Sequence, residues 1–160
     1  MGNNLPILAK SPSEQNLTDP IQIASDRFAQ GFNCSQSVFS AFASSVGLTD
    51  ESALKMSSPF GGGIARQGQV CGALIAALMI LGLQHGNVDP QGKEHTYQIS
   101  EEFVRKFKEC HGAILCRDLL GCDISTFAGM QTAREKNMFT TVCPTLVKGT
   151  AKLLSEFSIE

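Results

Sequence analysis

The sequence predicts an all-α fold: a compact multi-helix bundle around a buried central helix at about residues 70–84. Three observations carry that expectation. Apolar residues recur at helical spacing in several segments, capping residues and glycines bracket those segments, and no stretch alternates cleanly enough for a strand. With 160 residues, 42% of them hydrophobic, the chain is long enough for one domain with a sizeable core. The expected division is a disordered tail over residues 1–18 and a single helical four-cysteine domain over 19–160.

Each element has a local reason. Asp19-Pro20 places a capping side chain before Pro at the first helical position; Ile23, Arg27 and Phe28 follow, and Gly31 stops the helix. Asn33 caps a second helix in which Cys34, Val38, Phe42 and Val46 recur every four residues, with Gly47 as terminator. Asp50 caps a short third helix through Met56, which stops near Pro59 and opens into the loop Phe60-Gly61-Gly62-Gly63-Ile64-Ala65-Arg66-Gln67-Gly68. The next segment, Val70 to Leu81, is apolar on all sides, as a helix surrounded by neighbours must be. A long amphipathic helix from about Gly92 to Cys110 carries Ile99, Phe103, Phe107 and Cys110 on one stripe, with Gly112 after it. Cys116 to Gly121 forms one short turn, Ser125 caps another helix through about Glu135, and Cys143-Pro144 opens a last helix. The inward face of that last helix is Leu146, Val147, Thr150, Leu153, Leu154 and Phe157.

Charge and targeting signals exclude several classes. A formal net charge of −2 without a basic cluster argues against nucleic acid. The longest apolar run, Val70 to Leu83, falls short of the roughly 18 residues a membrane span needs. The first 18 residues lack the basic start and apolar stretch of a secretory signal, and six cysteines in a chain of this length do not make a disulfide scaffold. The expected compartment is therefore the reducing cytoplasm. A homodimer stays open.

Chemistry centres on sulfur. Cys34, Cys71, Cys116 and Cys143 each stand at an expected helix start, where the dipole and unpaired N–H groups favour a thiolate. Judged singly, Cys34, Cys116 and Cys143 are small core hydrophobes more often than reactive groups; the shared position points to a joint role. The glycine loop Gly61, Gly62, Gly63, Gly68 with Arg66 leads directly into Cys71, and glycines allow N–H groups to close on a sulfur or an anion. A phosphate loop is disfavoured, since no Lys-Ser/Thr follows and the loop succeeds a helix. Arg66 and Arg117 are placed to lower a thiol pKa or pair with an anion. Cys110 and Cys122 read as structural or auxiliary. His85, His95 and His111 lie at polar boundaries, and none belongs to an HExxH or CxxCH pattern, which removes a zincin and a covalent haem.

The segments Gly31-Phe32-Asn33-Cys34-Ser35-Gln36, Phe60-Gly61-Gly62-Gly63, Gly68-Gln69-Val70-Cys71-Gly72-Ala73, Cys116-Arg117-Asp118-Leu119-Leu120-Gly121 and Cys143-Pro144 resemble the C_GCAxxG_C_C family of redox-active proteins over about residues 20–155. Similar sequence also occurs as a region of split-Soret-type cytochromes, whose haem motifs are absent here. The resemblance puts the family's four cysteines on Cys34, Cys71, Cys116 and Cys143. It departs from the pattern at Ala76, where the family usually has Gly.

The resemblance implies a redox role and allows an iron–sulfur cluster. The leading expectation is a small redox protein whose four cysteines bind an iron–sulfur cluster or other metal and pass electrons to a partner protein. The alternatives are a thiol–disulfide oxidoreductase or redox sensor, with Cys71 as attacker, and a structural zinc module that presents a binding surface.

Overall fold

The computed structural model describes residues 19–157, and the expected tail lies outside the described residues. The chain is all-α, as expected. Helix α1 (Pro20–Ala29) starts where the Asp19 carboxylate accepts the Ile21 N–H at 2.9 Å. Helix α2 (Cys34–Ala41) opens with a capping box: Asn33 accepts from the Gln36 N–H, and the Gln36 side chain accepts from the Asn33 N–H.

The structure ends α2 earlier than Val46. The Phe42 N–H bonds back three residues to the Phe39 carbonyl, tightening the chain into a 3₁₀ turn over Ala43–Val46 before Gly47. Helix α3 (Asp50–Ser57) is capped by Thr49 and not Asp50, because the Thr49 hydroxyl accepts the Ser52 N–H. Helix α4 (Gly72–His85) is the central apolar helix and α5 (Lys93–His111) the long amphipathic one. Helix α6 (Cys116–Leu120) is the short turn. Helix α7 (Phe127–Glu135) is capped by Thr126, since Ser125 is held by the Asp123 carboxylate instead. A further short helix, α8 (Met138–Thr141), was not legible in the sequence and precedes α9 (Cys143–Phe157).

Packing follows the hydrophobic pattern. Helix α4 lies against α2, α5 and α9, with Ala73, Leu74, Ala76, Ala77, Ile80 and Leu81 buried. Ala76 is fully buried among these neighbours. Phe103 and Phe107 anchor α5, and Phe103 meets Phe157 edge to face at 5.1 Å. Cys110 departs from its expected stripe and is exposed. One turn beyond Phe107, the position facing the core belongs to His111, whose ring lies 4.6 Å from that of Phe107, so Cys110 is rotated outward. No helix among the described residues is long and apolar enough to cross a membrane.

Two distant segments meet where the chemistry is expected. The Cys71 N–H donates to the Ile114 carbonyl at 2.9 Å and the Cys116 N–H to the Gln69 carbonyl at 2.6 Å, a short antiparallel bridge joining Val70 and Leu115. This clasp fixes the start of α4 beside the start of α6.

Candidate functional site

All four expected cysteines stand at helix starts: Cys34, Cys116 and Cys143 are the first residues of α2, α6 and α9, and Cys71 is the capping residue of α4. All four line one cavity of about 890 Å³. Its apolar wall includes Phe28, Phe32, Leu120, Met130, Phe139 and Leu146. Cys71 and Cys116 are buried, Cys34 and Cys143 half-buried, and no disulfide joins any of the six cysteines.

Within the cavity, Cys34 and Cys71 are neighbours: a Cβ on Gly72, the residue after Cys71, would lie 2.8 Å from the Cys34 sulfur, and the two thiols bias each other's proton. The Cys71 thiol and the backbone N–H groups of Gly62, Ser35 and Ala73 lower the Cys34 thiol from 9.0 to about 7 against the opposing effect of burial. Those donors come from three chain segments, so the sulfur sits in a nest of backbone amides. Cys71 is raised well above the usual range, because its proton is held by the neighbouring Cys34 and because it is buried. Cys116 and Cys143 are both pushed up to about 12, chiefly by burial and then by the negative charge of Cys34. One thiol of the four is poised to ionise near neutral pH.

The glycine loop builds part of this nest. Gly62, Gly63, Ile64, Ala65 and Arg66 all have positive φ, from 49° to 66°. For the three non-glycine residues that conformation costs roughly 1–2 kcal/mol each. The turn is held by hydrogen bonds from Ala65 N–H to the Pro59 carbonyl, Gly68 N–H to Gly62 and Gln69 N–H to Gly63, at 2.8, 3.1 and 3.0 Å. The strained turn thereby points the Gly62 N–H at Cys34.

Two glycines are required by close approach. A Cβ on Gly63 would lie 2.5 Å from the Gln69 carbonyl oxygen and 2.7 Å from the Cys116 Cβ; one on Gly72 would lie 2.5 Å from the Phe60 oxygen and 2.8 Å from the Cys34 sulfur. The Gly after Cys71 is thus explained by the sulfur beside it. Gly61, Gly62 and Arg66 line the cavity, whereas Gly63 and Gly68 are buried and do not line it.

Arg117 does not act on its neighbour Cys116. Its Nε donates to the Gly68 carbonyl at 3.1 Å and its guanidinium faces Asp123 at 3.6 Å, so it anchors the loop and its charge is compensated. Cys122 is half-buried and packs against the small cluster of Cys116, Leu120, Ile124 and Ala133, without lining the cavity. None of the three histidines lines the cavity either: His85 and His95 meet each other edge to face at 6.4 Å, and His111 stays on Phe107.

Three site components carry no sequence signal that marks them as such. Asn33 was legible only as a cap, yet its Nδ2 also donates to the Ser58 carbonyl at 2.9 Å, tying α2 to the loop entry. Arg134 reaches the cavity from α7 and has no local motif. Ser35, wholly buried beside Cys34, has a hydroxyl with no hydrogen-bond partner.

Four thiols on one cavity suit an iron–sulfur cluster in ligand type. Their placement is less accommodating: among the described residues no group of three or more His, Cys, Asp or Glu side chains is set to hold a metal ion. The fit is in chemistry and not in position.

A family model described as Putative redox-active protein (C_GCAxxG_C_C) matches residues 32–157. No curated protein and no solved structure matches the chain.

Proposed function

The chain belongs to the C_GCAxxG_C_C family, and from that membership we propose that it is a thiol–disulfide exchange protein whose working pair is Cys34 and Cys71. The observation that carries this reading is the juxtaposition of the two thiols on one cavity, the Cys34 sulfur lying against Gly72 next to Cys71, with the Cys34 thiol lowered toward neutral pH and the Cys71 thiol raised. The attacker is Cys34, in place of the Cys71 expected from the sequence.

In the exchange, the Cys34 thiolate attacks one sulfur of a substrate disulfide. A Cys34–substrate disulfide forms, and the other substrate sulfur leaves as a thiolate that takes up a proton. Once Cys34 is covalently bonded it no longer carries the negative charge that held the Cys71 proton, so Cys71 ionises more readily. Its thiolate then attacks the Cys34 sulfur, forms the Cys34–Cys71 disulfide and expels the second substrate thiolate, which is protonated in turn. The substrate gains two electrons and two protons; the protein dithiol loses them and is restored by a cellular dithiol. Cys116 and Cys143, held protonated by burial, stay out of the first step.

The test uses a small aromatic disulfide. Wild-type protein should reduce it, Cys34→Ser should be inactive, and Cys71→Ser should accumulate a mixed disulfide on Cys34 visible by mass. A Cys71→Ser variant that turns over at the wild-type rate would sink the proposal.

A four-thiolate iron–sulfur centre is the second reading, supported by the single cavity that all four cysteines line. Anaerobic reconstitution followed by iron and sulfide analysis tests it; protein that takes up neither counts against it. A zinc module needs several donors around one ion, and the placement of the side chains lends it no support.

A further inference from the structure

We propose that the cavity in front of the thiols is a binding site for an organic anion with an apolar body, its negative group on Arg66 and Arg134 and its body against the apolar wall. The proposal names the substrate class for the dithiol reading and rests on that reading only for the chemistry after binding.

The charges carry the inference. The chain has five arginines. Arg27 pairs with Asp50, Arg105 with Glu102 and Glu109, and Arg117 with Asp123. Arg66 and Arg134 form no ion pair among the described residues, and these same two line the cavity. No aspartate, glutamate, lysine or histidine lines it with them. Neither arginine contributes to the low pKa of Cys34, which rests on Cys71 and backbone amides, so neither charge is committed to the thiolate. Both are exposed, at the solvent side of the site, and Arg66 is held at a φ of 63° by the strained loop.

The wall supplies the other half. Phe32, Leu120, Met130, Phe139 and Leu146 come from different parts of the chain and surround the thiols with hydrocarbon. A volume of about 890 Å³ lies within the range of pockets that take small organic ligands, roughly 300–1,000 Å³. Two unpaired guanidinium groups beside an apolar chamber recognise a carboxylate, sulfonate or phosphate that carries an aliphatic or aromatic body.

The probes are decanoate, decan-1-ol and decyltrimethylammonium, titrated calorimetrically into the reduced full chain. Decanoate should bind at least about tenfold more tightly than either of the others, the worth of one charge-assisted hydrogen bond. An Arg66→Glu, Arg134→Glu double variant should lose that preference. Saturating decanoate should also slow iodoacetamide alkylation of Cys34, which places the ligand in this cavity. The proposal is overturned if decanoate does not bind, if decan-1-ol binds equally well, if the double variant keeps the preference, or if Cys34 is not shielded. Decanoate binding with the full pattern in a protein that fails to reduce disulfides would overturn the exchange reading alone.

Discussion

Removing the Cys71 sulfur should raise the Cys34 pKa and slow its reaction at neutral pH by a calculable amount. Cys34 stands at about 7 against an ordinary 9.0, and the largest cause is the neighbouring Cys71 thiol. In Cys71→Ala that thiol is gone and burial is opposed only by backbone amides. A full return to 9.0 lowers the thiolate fraction at pH 7 from about one half to about one in a hundred, roughly fifty-fold. The remaining thiolate is more nucleophilic; with a Brønsted slope of about 0.45 it gains about eightfold. The net loss at pH 7 is therefore about sixfold, whereas above pH 10 the variant should react about eightfold faster than wild type. The assay is iodoacetamide alkylation from pH 5 to 11, with Cys34 followed by peptide mass mapping. Wild-type rates should rise through a midpoint near 7 and variant rates through one nearer 9. Coincident midpoints would refute the claim that Cys71 activates Cys34.

Other perturbations test the frame around the pair. Gly72→Ala, a change that favours an ordinary helix by about 1 kcal/mol, should instead destabilise the fold and depress Cys34 alkylation, because the new methyl meets the Cys34 sulfur at 2.8 Å; chemical denaturation and alkylation rates report the two effects. Ile64→Gly should stabilise by about 0.5–1 kcal/mol, since a β-branched residue at φ 61° is relieved of more strain than the added chain entropy costs. Ser35→Ala removes a buried hydroxyl without a partner and should raise the melting temperature; a lower one would show that the hydroxyl is satisfied. Alkaline stability has a definite sign. Cys116 and Cys143 sit near 12 in the fold and near 9.0 when unfolded, so both are protonated in the native state and ionise on unfolding between those values. Stability should thus fall as pH rises from about 9, by up to about 1.4 kcal/mol per pH unit for each thiol. Cys34 acts oppositely, its contribution being complete above 9 and lost as pH falls through about 7. Thermal unfolding of the reduced protein at pH 8 and 10.5, beside a Cys116→Ala, Cys143→Ala double variant, should show a shallower decline in the variant.

Local rules made the helices legible, because caps and apolar periodicity act over a few residues. Asp19, Asn33 and the Cys143-Pro144 start behave as their sequence neighbourhood dictates. Boundaries moved where two polar side chains competed for one role: Thr49 outcompeted Asp50, and Thr126 capped α7 while Ser125 turned to Asp123. The four helix-start cysteines were identifiable for the same local reason, and the glycine loop was recognisable as a source of positive φ and sulfur-directed amides. What lay beyond the sequence was long-range. Which thiol keeps its proton depends on the meeting of Cys34 with Cys71 and on the Gly62 amide arriving at Cys34 from the loop. Arg117 looked like a partner for Cys116 but is drawn across to Gly68 and Asp123, and Arg134 joins the cavity only through the packing of α7. Cys110 shows the limit of periodicity at a helix end, where a single position decides between core and solvent.

Disulfide exchange at this site requires that Cys34 and Cys71, of the six cysteines, form the working pair. The decisive test is mild oxidation of the reduced chain with diamide, followed by alkylation and disulfide mapping by mass spectrometry. One disulfide should dominate, Cys34 to Cys71, with Cys116 and Cys143 recovered as alkylated thiols. A dominant Cys116–Cys143 bond, scattered pairings, or no disulfide at all would contradict it.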